Sequence, residues 1–273
     1  MTKRYAPIDL RNIKTYPIKT RKNKVKIDDF ATSLPDETSF KSYINSLPQI
    51  QAGKDFRSIV EAIISAYQKE KPVIFAIGGH VIKCGLSPLL IDLMKRDVVT
   101  SIATNGSGSI HDFEIALIGE TSEDVAQSLG DGAFGMAEET GKLMNEAIIS
   151  GYEQGLGLGK ALGLKLHDMR APHREYSILA AGVEYDIPIT VHVAIGTDII
   201  HQHKYAKGAA IGETSYTDFR ILTSVVSDLE EGGVFVNFGS AVILPEVFLK
   251  AFSIACNLGH SMNHITTANF DMI

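Results

Sequence analysis

Residues 72–80 read Pro-Val-Ile-Phe-Ala-Ile-Gly-Gly-His, a continuously apolar run that ends in two glycines. An apolar run without polar alternation is typical of a strand that is buried on both faces, as in a parallel sheet. The glycines predict a tight turn, and an apolar helical pattern follows at about 86–94. This stretch therefore predicts a buried strand whose carboxyl end leads towards a helix.

The same alternation recurs along the chain. Further strands are predicted at 98–103, 189–194, 234–238 and 262–267. Helical patterns occur at 59–67, 133–165, 176–185 and 218–229, and from residue 245 onward. Strands that alternate with helices predict an α/β fold with a doubly wound, mostly parallel sheet. No interdomain linker is visible, so residues 1–273 are predicted to form one domain with an irregular basic arm at about 1–50.

The composition favours a globular protein with a large apolar core. Apolar residues make up 45% of the chain, and the net charge of −6 argues against general affinity for nucleic acids. The apolar runs are too short to cross a bilayer, and we identify no signal peptide. Two cysteines suit a reducing compartment. We therefore expect a cytoplasmic protein that binds neither membrane nor nucleic acid.

A basic run extends from Arg11 to Lys26, with seven Lys or Arg residues and no acid. A solvated amino-terminal arm explains such a run. The alternative is a surface that binds an anionic partner or a neighbouring subunit. The sequence leaves both interpretations open.

Short polar or glycine-rich turns follow four of the predicted strands, at 78–80, 105–109, 196–198 and 239–240. In open parallel sheets, ligands bind outside the carboxyl ends of the strands. Glycine lets a ligand approach the backbone closely, and helix amino termini favour anions. Each turn alone is explained by chain reversal, but their joint position predicts a ligand site at this edge.

The common nucleotide motifs are incomplete. Residues 155–160, Gly-Leu-Gly-Leu-Gly-Lys, imitate a P-loop, but Gln154 stands where a glycine is required. Ala161 replaces the hydroxyl residue that would hold magnesium. This run is therefore predicted to be a helix or a junction between helices.

Histidine and acidic clusters have two interpretations each. Asp198, His201 and His203 follow the third strand, and His260 and His264 are spaced i, i+4, so either group has the residue types of a metal site. No His-Glu-x-x-His is present, and structural histidines are the more common case, so we expect no metal. The acidic patch Glu120, Glu123 and Asp124 fits a helix start capped by Thr121 or Ser122, with amine binding as the alternative.

At the strand-end turns the sequence resembles the deoxyhypusine synthase family, discontinuously from about Lys71 to the end. The segments that carry the resemblance are 79–85, 103–112, 193–198, 237–241 and 265–271. The last of them, Ile-Thr-Thr-Ala-Asn-Phe-Asp, is similar to the family's Ile-Asn-Thr-Ala-Gln-Glu-Phe-Asp. Members of this family use NAD to move an aminobutyl group from spermidine onto a protein lysine.

The resemblance implies a Rossmann-like NAD-binding fold of the deoxyhypusine synthase type and a homotetramer with sites between subunits. It also implies cofactor contacts at Gly79, Thr104, Gly106, Gly108, Asp198, Gly239, Thr267 and Ala268. The expected function is that of an NAD-dependent transferase or oxidoreductase that acts on a polyamine-like amine.

Candidates for amine binding or proton transfer are His111, His201, His203 and Glu246. The family carries Lys-His-His after its triple-glycine turn, whereas this chain has Leu244-Pro245-Glu246. This departure leaves a second hypothesis open, in which the fold is kept as a non-catalytic nucleotide-binding or assembly module.

Overall fold

The computed structural model describes residue 12 and residues 14–17, 20–22, 24, 26–33, 38–130 and 132–271. The chain divides into two compact units, residues 1–58 and 59–273. Within the first unit, helix α1 (Phe40–Ser46) starts at Ser39, whose side chain accepts a hydrogen bond from Ser42 N at 3.1 Å. Helix α2 (Gln51–Gln68) begins in this unit. Helix α1 lies inside the arm that the sequence predicts to be irregular, and α2 begins directly after it. Part of the basic run lies outside the described residues.

The second unit holds a five-stranded sheet in which every strand pair is parallel. The strands are β1 (Val73–Ile77), β2 (Ser101–Asn105), β3 (Ile189–His192), β4 (Val234–Phe238) and β5 (Thr266–Phe270). They lie in the order β3-β2-β1-β4-β5, so the winding direction reverses between β1 and β4. The predicted α/β fold with a parallel sheet is thereby confirmed.

Helices cover both faces of the sheet. They are α3 (Gly79–Lys83), α4 (Ser87–Lys95), α5 (Gly106–Ile118), α6 (Val125–Ser128), α7 (Glu138–Gln154), α8 (Leu158–Asp168), α9 (Ile178–Glu184), α10 (Gly208–Ser227) and α11 (Ile243–Asn257). The larger core includes buried residues of α4, α5, α7, α8 and α9, and a second core joins the opposite face to α10 and α11. The sheet is therefore doubly wound, as predicted. Among the described residues, no helix is long and apolar enough to cross a membrane.

Several elements begin or end where the sequence did not place them. Strand β2 starts at Ser101 rather than residue 98, because the Val98 and Val99 amides bond to the Leu93 carbonyl and close the turn after α4. Strand β5 covers Thr266–Phe270 rather than 262–267. His264 was predicted to lie on this strand, but it lies in the turn before it with a φ of 59°. Helix α10 begins ten residues earlier than predicted, at Gly208 rather than residue 218.

Two glycine-rich segments lie at the ends of helices. Helix α5 starts at Gly106, inside the predicted polar turn 105–109, because the Asn105 side chain caps it by accepting from Gly108 N at 2.9 Å. The run 155–160 is a junction between helices, as predicted: α7 ends at Gln154 and is followed by Gly155 with a φ of 68°, and α8 begins at Leu158.

Helix α8 packs with its first turn against the edge strand β3. A Cβ on Gly159 would clash with the Ile189 carbonyl oxygen, which belongs to the backbone and cannot rotate away. The buried Asp218 carboxylate accepts from Gly159 N at 2.9 Å and from Val191 N at 2.7 Å, so it ties helix and strand to α10. Burial raises the pKa of Asp218 to about 7.

We expect Gly159→Ala to lower the free energy of unfolding by about 2–4 kcal/mol, because the added methyl group must push α8 away from β3. Urea-induced unfolding measures this change. Gly212→Ala on α10 is the matched control, since a Cβ there meets open space, and this helical substitution should stabilise by up to about 1 kcal/mol. Equal changes in the free energy of unfolding of the two variants would contradict the close packing of α8 against β3.

Candidate active site

A cavity of about 470 Å³ lies at the carboxyl edge of the sheet. Its walls come from α3 after β1, from residues 107–114 of α5 after β2, from the loop after β3, and from residues 122–125 and 134–137. Its main polar lining residues are Lys83, Ser107, His111, Glu114, Glu123 and Asp198. Three carboxyl groups against one lysine give the cavity a negative character, which favours a cationic ligand.

Asp198 lies in the loop after β3, against the first residue of α5. Its carboxylate fills the position that a Cβ on Gly106 would occupy. The side chain is only 7% exposed, and Oδ2 has no hydrogen-bond partner among the described residues. Burial raises the pKa of Asp198 from 3.8 to about 6. An unpartnered buried carboxylate oxygen is costly, so this position favours a ligand that donates an N–H group.

His201 holds the Asp198 loop in place. Its Nδ1 accepts from the backbone amides of Gly196 at 3.1 Å and of Asp198 at 3.3 Å. The proton of the neutral ring is therefore on Nε2, which lies 3.8 Å from Asp198 Oδ2, too far for a hydrogen bond. Burial lowers the pKa of His201. This histidine fixes the loop with a neutral ring.

His111 belongs to a hydrogen-bonded array on α5. Its Nδ1 lies 2.8 Å from Thr121 Oγ1, and this hydroxyl donates to Glu114 Oε2 at 2.5 Å. The Thr140 hydroxyl donates to Glu114 Oε1 at 2.9 Å. Because the Thr121 hydroxyl has a single proton and gives it to the carboxylate, it must accept from His111 Nδ1–H. The neutral His111 ring therefore keeps a free lone pair on Nε2.

The surroundings of His111 keep its ring neutral near pH 7. Burial lowers the pKa of His111, and the nearby positive charge of Lys83 lowers it further, with a smaller effect of His80. The Glu114 carboxylate acts in the opposite direction. A neutral imidazole with a defined tautomer in a cavity wall has the properties of a general base.

His203, predicted to bind the amine or transfer protons, supports the cavity wall. Its Nε2 donates to the Gly135 carbonyl at 2.8 Å, and its ring occupies the space next to Gly141. Gly135 N donates to Glu123 Oε2 at 2.8 Å, and Gln202 Nε2 donates to the Phe134 carbonyl at 3.0 Å. These bonds fasten the 134–137 wall to the loop after β3.

Two other acidic residues lie away from the cavity interior. Glu246 is exposed in the first turn of α11 and pairs with Lys250. Because α11 covers the sheet face opposite α5, the structure does not bring Glu246 together with His111. The cap of α6 is Asp124, whose Oδ1 accepts from Ala126 N at 3.0 Å, and Thr121 bonds to Glu114 instead of capping this helix.

Four of the eight predicted cofactor residues are buried at the end of β2 and at the starts of α3 and α5: Gly79, Thr104, Gly106 and Gly108. A Cβ on Gly79, Gly106 or Gly108 would meet a neighbouring side chain, that of Ser107, Asp198 or Thr104, respectively. Thr104 Oγ1 donates to the Ile77 carbonyl at 3.1 Å. These positions therefore need glycine because neighbouring side chains of the protein pack there.

The other predicted cofactor residues are more open. Gly239 is exposed at the end of β4, with a φ of 67° and no atom within 4 Å of its Cβ position. It lies where the winding of the sheet reverses, which is where dinucleotides bind in this class of sheet. Thr267 and Ala268 lie in the middle of the edge strand β5. Of the eight predicted cofactor residues, only Asp198 lines the cavity.

The sequence missed Lys83, Glu114, Thr121 and Thr140. His111 and Glu114 have the i, i+3 spacing of one helix face, but this signal has meaning only once α5 is known to be a helix. In the part of the chain that the structure describes, no group of three or more His, Cys, Asp or Glu side chains is placed to hold a metal ion.

No protein-family model matches the sequence, and no curated protein matches it significantly. A protein from Entamoeba histolytica assigned as a deoxyhypusine synthase matches with a TM-score of 0.48 and 15% identity, over 77% of this chain and 82% of that chain. A conserved protein of Methanococcus maripaludis S2 assigned as LOR/SDH matches with a TM-score of 0.49 and 15% identity, over 93% and 63%. ArgZ, an arginine dihydrolase of the cyanobacterial ornithine-ammonia cycle, matches with a TM-score of 0.41 and 13% identity, over 79% and 33%. Likeness at this level assigns no function, which has to be inferred from the site.

Proposed function

We propose that this chain is an NAD-dependent enzyme that binds a small amine in the carboxyl-edge cavity and transfers a proton through His111. The observation that carries the proposal is the Glu114–Thr121–His111 array in the wall of a cavity that Asp198, with one unpartnered carboxylate oxygen, also lines. An unprotonated imidazole nitrogen and a carboxylate are the groups that deprotonation of a bound ammonium ion needs.

Each residue has a defined part in this chemistry. Asp198 attracts the ammonium group and fixes its position by a charge-assisted hydrogen bond. His111 Nε2 removes a proton from the amine, and the positive charge that forms on its ring is stabilised through Thr121 by the Glu114 carboxylate. When bound, NAD supplies the hydride acceptor for oxidation of the carbon that bears the amine. Loss of one proton and one hydride converts the alkylammonium ion into an iminium ion.

In this proposal Asp198 binds the amine, whereas the resemblance implies that it contacts the cofactor. The reason is its buried and unpartnered oxygen in an acidic cavity, which suits a cation better than a nucleotide. NAD contacts Gly239 instead, because this residue is open and lies where the strand order reverses, so that the cofactor can approach its backbone closely.

We expect Gly239→Asn to weaken NAD binding about 10-fold or more while the stability of the fold changes by less than about 1 kcal/mol. Asparagine tolerates the left-handed φ of 67°, so its side chain blocks the open space without strain. Calorimetric titration of NAD and urea unfolding measure the two effects. Unchanged NAD affinity would remove Gly239 from the cofactor site.

Turnover tests the function itself. The purified chain is incubated with NAD and a panel of amines that includes spermidine and putrescine, and formation of reduced nicotinamide is followed by absorbance. We expect NAD-dependent oxidation of at least one amine. A folded chain that binds amine and NAD without any turnover would contradict the enzymatic proposal.

The non-catalytic module remains the second candidate function. The burial of Gly79, Thr104, Gly106 and Gly108 in protein contacts favours it, since these residues then serve the fold rather than a cofactor. A homotetramer in the cytoplasm also remains a proposal from the resemblance. Sedimentation analysis of the purified chain tests the tetramer.

A further inference from the structure

Two oppositely charged residues that line the cavity, Asp198 and Lys83, leave bonding capacity unused within the protein. Asp198 has an oxygen without a hydrogen-bond partner. Lys83, at the carboxyl end of α3, forms no ion pair among the described residues. The Glu114 carboxylate, in contrast, accepts two threonine hydroxyls. Among the carboxylates of the cavity, Lys83 therefore offers a single positive charge that can bind an anionic group of a ligand.

We propose that the substrate is an amino acid, whose ammonium group binds Asp198 and whose carboxylate binds Lys83. This inference rests on the proposed amine site and narrows its substrate class. A zwitterion matches both charges, whereas a diamine or polyamine places ammonium groups only and leaves Lys83 opposed by a like charge.

The position of Lys83 supports this assignment. Lys83 is exposed and lines the same cavity as His111, and its positive charge lowers the pKa of His111. α3 and α5 are also in direct contact, since Ser107 fills the space beside Gly79. A substrate held at Lys83 and at Asp198 would occupy the cavity that His111 also lines.

Matched ligand pairs test the inference. L-ornithine and putrescine differ only in the carboxylate, as do L-lysine and cadaverine. Calorimetric titrations at about pH 8 should show that the native chain binds each amino acid about 10-fold more tightly than its diamine. Lys83→Gln should abolish this preference, and Lys95→Gln, an exposed lysine on α4, should keep it.

The outcomes separate the two proposals. Diamines that bind the native chain as tightly as amino acids, or a preference that survives Lys83→Gln, would overturn the amino-acid assignment and leave the amine site standing. If Asp198→Asn weakens neither class of ligand, or if neither class binds at all, the amine site itself is wrong and the assignment falls with it.

Discussion

Asp198→Asn is expected to make the protein more stable at about pH 8 and to weaken amine binding at least ~10-fold. The pKa of Asp198 is about 6 in the folded chain against an ordinary value of 3.8, so the folded state binds its proton more tightly. The protonated Asp198 side chain therefore contributes its full stabilisation of the folded state below about pH 4. This contribution is lost as the pH rises through about 6. An asparagine has no charge to bury, and the gain at about pH 8 should be about 1–3 kcal/mol.

Urea unfolding at about pH 4 and about pH 8 measures the stability change, and calorimetric titration measures the binding. Asp186→Asn is the control, since Asp186 is exposed and asparagine accepts its positive φ of 52°. A gain in stability together with a loss of binding excludes misfolding as the cause. If NAD affinity falls and amine affinity does not, Asp198 belongs to the cofactor, as the resemblance implies.

His111→Gln should lower kcat about 10²- to 10⁴-fold, the range that a general base contributes. The rate of the native enzyme should fall as the pH drops below the lowered pKa of His111, because the base becomes protonated. This fall in rate at low pH, the acidic limb of the pH profile, should be absent in the His111→Gln variant.

Thr121 variants test whether the array defines the tautomer of His111. Thr121→Val removes the acceptor of Nδ1–H, and we expect a smaller loss of kcat, about 10-fold, with the acidic limb shifted. Thr121→Ser keeps the hydroxyl and should restore most of the rate. If Thr121→Val and Thr121→Ser behave alike, the hydroxyl does not position the ring.

The sheet was readable from the sequence where apolar runs end in glycine. Strand β4 was predicted with the observed bounds, since Gly233 precedes it and Gly239 follows it. Strand β5 was misplaced because Met262 and His264 have positive φ values, which non-glycine residues rarely adopt and which sequence patterns do not reveal. The reversal of the sheet between β1 and β4 depends on tertiary packing and has no local signal.

The site was readable only in part. Asp198 and His111 were chosen from the sequence, and both line the same cavity. The Asn105 cap was missed, so α5 was not recognised and the His111–Glu114 helix face stayed hidden. Thr121 and Thr140 contact Glu114 from outside α5, and such contacts across the fold have no sequence pattern.

A crystal structure of the protein soaked with L-ornithine tests the central claim most directly, that the carboxyl-edge cavity is an amine site. We predict ornithine in this cavity, with an ammonium nitrogen about 3 Å from an oxygen of the Asp198 carboxylate. Ornithine bound elsewhere, or a cavity that contains only water at saturating ornithine, would contradict it.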